Sequence, residues 1–122
     1  MGDRALVSTR KGLFELSKRA GAWEIGEVHF LGEPVSNALH DRRDGTLYAA
    51  LNLGHFGVKL HRKDPGSTAW TEVTVPVYPS KPEGSDDKTE WNLTMIWSLE
   101  AGGDDDWIWF HIPVGYLFAI GN

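Results

Sequence analysis

Glycine and proline interrupt this chain so often that the longest stretch free of both runs only from Ser85 to Ala101. A helix interior is destabilised by either residue, by glycine through backbone entropy and by proline through a missing amide donor, so a fold built on long helices is excluded. Within that stretch Trp91, Leu93, Met95, Trp97 and Leu99 fall at every second position, and only Ile96 is out of phase. Period 2 gathers those side chains on one face of a strand, which predicts a strand over 91–100 with Trp91 and Trp97 on a buried stripe.

Other segments agree. Thr46–Leu51 and Trp107–Ile112 are apolar at nearly every position, as in strands covered on both faces. Ala69–Val75 is rich in β-branched and aromatic residues, and Asp44-Gly45 just before Thr46 is a strong hairpin signal. The expected class is all-β, an antiparallel meander.

The meander repeats. Gly12-Leu-Phe-Glu-Leu16, Gly57-Val-Lys-Leu-His61 and Gly115-Tyr-Leu-Phe-Ala119 each follow an apolar strand, and Ala22-Trp23 recurs as Ala69-Trp70. The Gly12 to Gly57 spacing falls in the roughly 40 to 50 residues of a four-stranded propeller blade. Labelling blade strands A to D predicts B to D at 5–9, 12–18 and 22–31, a complete blade at 35–41, 46–52, 57–63 and 69–75, and A to C at 91–100, 107–112 and 115–120. These make partial blades over 5–31 and 91–120, a complete one over 35–75, and an inserted loop over 76–90. The recurrence of Trp23 and Trp70 predicts that both are core residues.

Composition removes whole classes of function. The net charge of −5 lacks the basic footprint of nucleic-acid binders. With no cysteine there are no disulfides, thiolate nucleophiles or cysteine-bound metals. No run approaches a membrane span or a secretory h-region, and Leu6 stands where myristoylation wants Ser or Thr. The default is a cytoplasmic protein that meets neither nucleic acid nor membrane.

The segments Leu6-Val-Ser-Thr-Arg-Lys-Gly-Leu-Phe14, Asp44-Gly-Thr-Leu-Tyr-Ala-Ala-Leu-Asn-Leu-Gly-His-Phe-Gly-Val-Lys-Leu-His-Arg62 and Ile96-Trp-Ser-Leu-Glu100 resemble bacterial sialidase-like proteins of the BNR or Asp-box type, the WD40/YVTN/BNR-like propellers. The likeness covers most of residues 1–103. It implies a β-propeller and an Asp-box turn between strands C and D, for which Asp64, Gly66 and Trp70 are the matching residues; Lys63 replaces the family's Ser. Four to eight blades need roughly 160 to 360 residues, so the chain is expected to be an N-terminal segment of a larger ring. Incomplete blades leave unpaired edges or apolar faces, which predicts self-association.

Strands of a meander alternate direction, so B–C and D–A loops share one end of the blades. That end collects Arg10, Lys11, Glu33, Asn52, His55, Phe56 and His111, the candidate contacts for a small-molecule or glycan ligand. The five histidines lack the close spacing that builds half a metal site, so neither metal nor cofactor is expected. Sialidases use a tyrosine nucleophile, and the family's arginine triad opens on a Phe/Tyr-Arg-Ile/Leu-Pro motif. Phe110-His-Ile-Pro113 carries His in place of Arg, in the last blade. The expected function is a sialidase-like segment, non-catalytic by itself, that binds a ligand or partner at the B–C and D–A end. The alternative is an exo-sialidase-like glycoside hydrolase whose remaining catalytic residues lie in other blades.

Overall fold

The structure, a computed structural model, describes residues 2–75, 83–86, 93, 95–96, 98–111 and 117–121, and the side chains only as far as Trp109. Among the described residues ten strands run in order: β1 (Arg4–Thr9), β2 (Gly12–Arg19), β3 (Ala22–His29), β4 (Val35–Asp41), β5 (Thr46–Asn52), β6 (Val58–Lys63), β7 (Thr71–Val73), β8 (Ser98–Ala101), β9 (Trp107–His111) and β10 (Leu117–Gly121). A 3-10 turn over Gly54–Phe56 precedes β6, so that strand begins one residue later than expected. Among the described residues there is no helix long and apolar enough to cross a membrane.

Each strand pairs antiparallel with its sequence neighbour in three consecutive sheets, β1-β2-β3, β4-β5-β6-β7 and β8-β9-β10. The fold is the all-β antiparallel meander expected, three blade-like sheets none of which closes on itself. Tight turns set the registers. At Gly12 a left-handed φ of 137° is required, and a Cβ there would sit 2.9 Å from the His29 carbonyl oxygen, so only glycine brings this turn against the end of β3.

The sheets stack face to face. One face of the middle sheet packs Val35, Ala49 and Leu51 against Leu13 of the first, with Leu6, Phe30 and Trp70 closing the cluster. Its other face packs Tyr48, Ala50, Val58 and Leu60 against Leu99 and Ile108 of the third sheet and against Ile96. Consequently β5 is buried from Thr46 to Leu51, as its apolar run predicted.

Where a face has no neighbouring sheet, the sequence reading is corrected. Trp107 and Trp109, on the side of β9 away from the middle sheet, are 47% and 37% exposed, although Ile108 between them is fully buried. Trp23 is 51% exposed rather than core. The strand expected over 91–100 begins only at Ser98; Leu93, Met95 and Ile96 lie outside any strand, and Ile96, the residue out of phase, is the one completely buried. Its carbonyl accepts a hydrogen bond from Ser36 Oγ at 3.3 Å, which fixes this segment against β4. Trp91 and Trp97 lie outside the described residues, as do most of the 76–90 insertion and 112–116. The last strand of the middle sheet is also shorter than expected, Thr71–Val73.

An ion pair with one partner buried joins the second and third sheets. Asp41 ends β4 with its side chain fully buried, and Arg43 in the following turn grips it through Nε to Oδ1 at 2.9 Å and Nη2 to Oδ2 at 2.7 Å. The Arg43 amide adds a third bond to Oδ1 at 3.0 Å. The same guanidinium donates from Nη1 to the carbonyls of Gly103, at 3.1 Å, and of Asp105, and from Nη2 to that of Trp107, at 3.2 Å. One side chain thereby satisfies a buried carboxylate and the β8–β9 loop together.

The Arg43 hydrogen bonds hold the Asp41 carboxyl below its ordinary value against the opposing effect of burial. Because the folded pKa is the depressed one, the stabilisation is complete above the ordinary aspartate value of 3.8, declines below it and is gone once the pH falls through the folded value. Asp41→Asn places an amide N–H opposite the Arg43 donor at Nη2, and is expected to cost about 2 kcal/mol or more at neutral pH. Chemical denaturation of both proteins from pH 7 down to pH 3 checks this, the gap closing toward the acid end.

Candidate functional site

The end of the sheets that carries the B–C and D–A loops is tied together by backbone. The Gly32 amide donates to the Lys11 carbonyl at 2.9 Å, linking the β1–β2 turn to the β3–β4 loop, and the Asn52 amide donates to the Pro34 carbonyl at 3.1 Å, linking that loop to the end of β5. Thr9 Oγ1 accepts the Lys11 amide at 3.0 Å, a serine/threonine-type turn that presents Arg10 and Lys11 to solvent. Asn52 Oδ1 accepts the Gly54 amide at 3.3 Å and starts the 3-10 turn. On that turn the His55 ring stands edge-on to Phe56, centroids 5.5 Å apart, and Phe56 is 77% exposed.

The structure therefore brings Arg10, Lys11, Glu33, Asn52, His55 and Phe56 to one end. Leu31, exposed in the β3–β4 loop, joins them as an apolar residue that the sequence reading passed over. His111 closes β9, and its side chain lies outside the described residues. The Asp-box-like segment forms a tight turn at the opposite end. Pro65 and Gly66, the latter with φ 78°, are its central residues, and the Ser67 amide donates to the Asp64 carbonyl at 3.0 Å. The Asp64 carboxylate accepts from Arg62 Nε at 2.7 Å.

Trp70 has a role that sequence reasoning did not reach. Its indole N–H donates to His29 Nδ1 at 3.2 Å, across the junction between the second and first sheets. An indole N–H can only donate, so Nδ1 is the acceptor and the imidazole proton sits on Nε2. Nε2 then donates to Glu15 Oε2 at 3.1 Å, while Glu15 Oε1 accepts from Arg4 at 3.0 Å. Burial alone would raise the Glu15 pKa; the hydrogen bond from His29, a hydrogen bond with Glu27 and the charge of Arg4 outweigh it and hold the carboxyl below its ordinary value.

A β-bulge builds this cluster. Phe14 pairs with Val28 and Leu16 with Ile25, so two residues of β3, Gly26 and Glu27, oppose Glu15 alone. Above the bulge Glu27 and His29 share the inner face with Glu15; below it Ile25 and Trp23 are switched to the outer face. The signal available in the sequence was Glu27 and His29 two residues apart beside Gly26, a strand glycine of the kind that marks bulges.

The ligand atoms of Glu15, Glu27 and His29 all lie within 4.8 Å of one another. A cation held by His29 Nε2 would need the ring proton on Nδ1, where the Trp70 N–H already points, so this tautomer does not fit a metal. The cluster borders an open cleft of about 970 Å³ lined by all three sheets, at the end opposite the B–C loops, where Arg4, Glu15, Glu27, His40, Lys63 and Glu100 supply charges of both signs. On β6, burial pushes the His61 pKa down, and its Nδ1 has no hydrogen-bond partner among the described residues, which together with Phe30 at 5.1 Å marks an aromatic filler of the same junction.

Long-range ¹H–¹⁵N correlation at neutral pH is expected to show His29 as the Nε2–H tautomer. In Trp70→Phe, which removes the donor and keeps an aromatic ring, that preference is lost; an Nδ1–H ring in the unmodified chain would contradict the order Trp70, His29, Glu15 of donors and acceptors. No protein-family model matches this chain, and no curated protein matches its sequence, so its functional interpretation stands on this geometry.

Proposed function

We propose that this chain is a sialidase-like, BNR-type propeller segment, non-catalytic by itself, that binds a ligand at the end formed by the B–C and D–A loops. The observation that carries the proposal is Phe56, an aromatic ring 77% exposed on a turn held by backbone hydrogen bonds, with a histidine edge-on and two cations and a carboxylate in neighbouring turns. An isolated exposed phenylalanine is ordinary, but Phe56 shares this end of the sheets with exposed Leu31 and with exposed charged side chains. Aromatic faces of this kind stack on sugar rings and other flat ligands, while Arg10, Lys11 and His55 supply donors for an anionic group.

Glycoside hydrolysis is the second reading, and a different observation favours it. Two carboxyl groups, those of Glu15 and Glu27, come together at the cleft, and most glycosidases need such a pair. Glu15, whose carboxyl is held below its ordinary value, would be the ionised partner.

Titration of ¹⁵N-labelled protein with sialyllactose separates the two. Ligand binding at the loop end predicts shifts at Arg10, Lys11, His55 and Phe56, at least tenfold weaker binding in Phe56→Ala, and no turnover of a fluorogenic sialoside. Turnover that disappears in Glu27→Gln would favour the hydrolase. An absence of shifts at the loop end would remove the first reading.

A further inference from the structure

Large apolar side chains in the strands are left exposed on the two outer sheets and, among the described residues, nowhere on the middle one. On the first sheet they share the face turned away from the middle sheet: Val7 pairs beside Phe14 and Val28, Leu16 beside Ile25, and Trp23 lies beyond them opposite Lys18. Ile25 is 67% exposed. On the third sheet Trp107 and Trp109 occupy the equivalent outward face. We propose that these two faces are halves of one junction, and that a second copy of this chain docks head to tail, the third sheet of each copy on the first sheet of the other, to close a ring of six sheets.

The junctions inside the chain show what the faces lack. Trp70 of the middle sheet is covered by the preceding sheet, with Phe30 4.9 Å and His29 5.3 Å from its ring. Trp23 is the repeat counterpart of Trp70 and, among the described residues, has no preceding sheet on it. Tyr48, on the side of β5 away from the first sheet, is buried by the following sheet; Trp109, on the side of β9 away from the second, has no following sheet on it among the described residues. Each open face is thus the side on which this repeat elsewhere makes an interior contact.

Two further features favour a second copy as the occupant. The faces differ and lie at opposite ends of the stack, so the contact is heterologous, and two such contacts close a two-fold ring. Twice three sheets gives six, inside the four to eight of closed propellers. The proposal rests on sheet stacking and not on ligand binding; its test uses no ligand, so either can fail alone.

Sedimentation equilibrium of the 122-residue chain is expected to give twice the chain mass. Ile25→Arg spoils one face and Trp109→Glu the other, and each variant alone is expected to dimerise at least tenfold more weakly. Their equimolar mixture regains dimers, because one junction is then intact and the other sets Arg against Glu. Both side chains are exposed in the single chain; should either variant lose its β-sheet circular dichroism, Val7→Lys or Trp107→Glu spoils the same face. A monomeric parent chain, open-ended growth with concentration, a dimer lost in Ile25→Arg but kept in Trp109→Glu, or a mixture that stays monomeric would each overturn the proposal.

Discussion

The grip of Arg43 on Asp41 is the interaction on which the stacking of the sheets depends. A meander of short strands joins one sheet to the next only through the connecting chain, and apolar contact between two faces is not directional. Arg43 supplies direction. Its planar fork is saturated on one side by a fully buried carboxylate and on the other by three backbone carbonyls of the β8–β9 loop. The arrangement satisfies the charge that β4 buries at its end and fixes where the third sheet begins relative to the second. At the other junction the corresponding work is divided among Trp70, His29, Glu15 and Arg4, a chain of donors and acceptors with each hydrogen assigned by the group before it.

Much of this architecture could be read from the residues because strand edges in a meander are set locally. Glycine at 12, 45 and 66 marks turns, and the apolar run Thr46–Leu51 is buried on both faces as its composition demands. Asp41 and Arg43 could not be read, since neither the two-residue separation nor the residue types say that the arginine will reach carbonyls some sixty positions away. The alternating stripe from Trp91 to Leu99 misled for a related reason. Alternation reports a strand only while the backbone stays extended, and Leu93, Met95 and Ile96 lie outside any strand, so the out-of-phase Ile96 became the buried one.

The candidate site divides in the same way. Direction alternation alone places Arg10, Glu33, Asn52, His55 and Phe56 at one end, so their grouping was legible. The His29 cluster was hidden by one residue. Trp23, Ile25, Glu27 and His29 fall at every second position of β3, and a regular strand would put all four on one face. The bulge at Gly26 and Glu27 divides them, sending the two apolar side chains outward and the two polar ones inward, where Glu15 waits across the pair. A single unpaired residue therefore creates both the polar relay of one junction and the apolar surface of the opposite face.

Sequence patterning in a repeat of this kind encodes junctions rather than surfaces. Trp23 and Trp70 each follow an alanine at the start of a strand segment, and the difference in their exposure comes from whether another sheet stands before them. The same holds for Tyr48 and Trp109. Burial is thus a property of a sheet's place in the stack, which no window of residues contains, and the hydrophobic free energy of each sheet is realised only when both neighbours are present. The loop end inherits this dependence. The Lys11–Gly32 and Pro34–Asn52 bonds that carry Phe56 and its charged companions run between strands of the first two sheets, so the geometry of the ligand-facing surface is set by how firmly those sheets are held to one another.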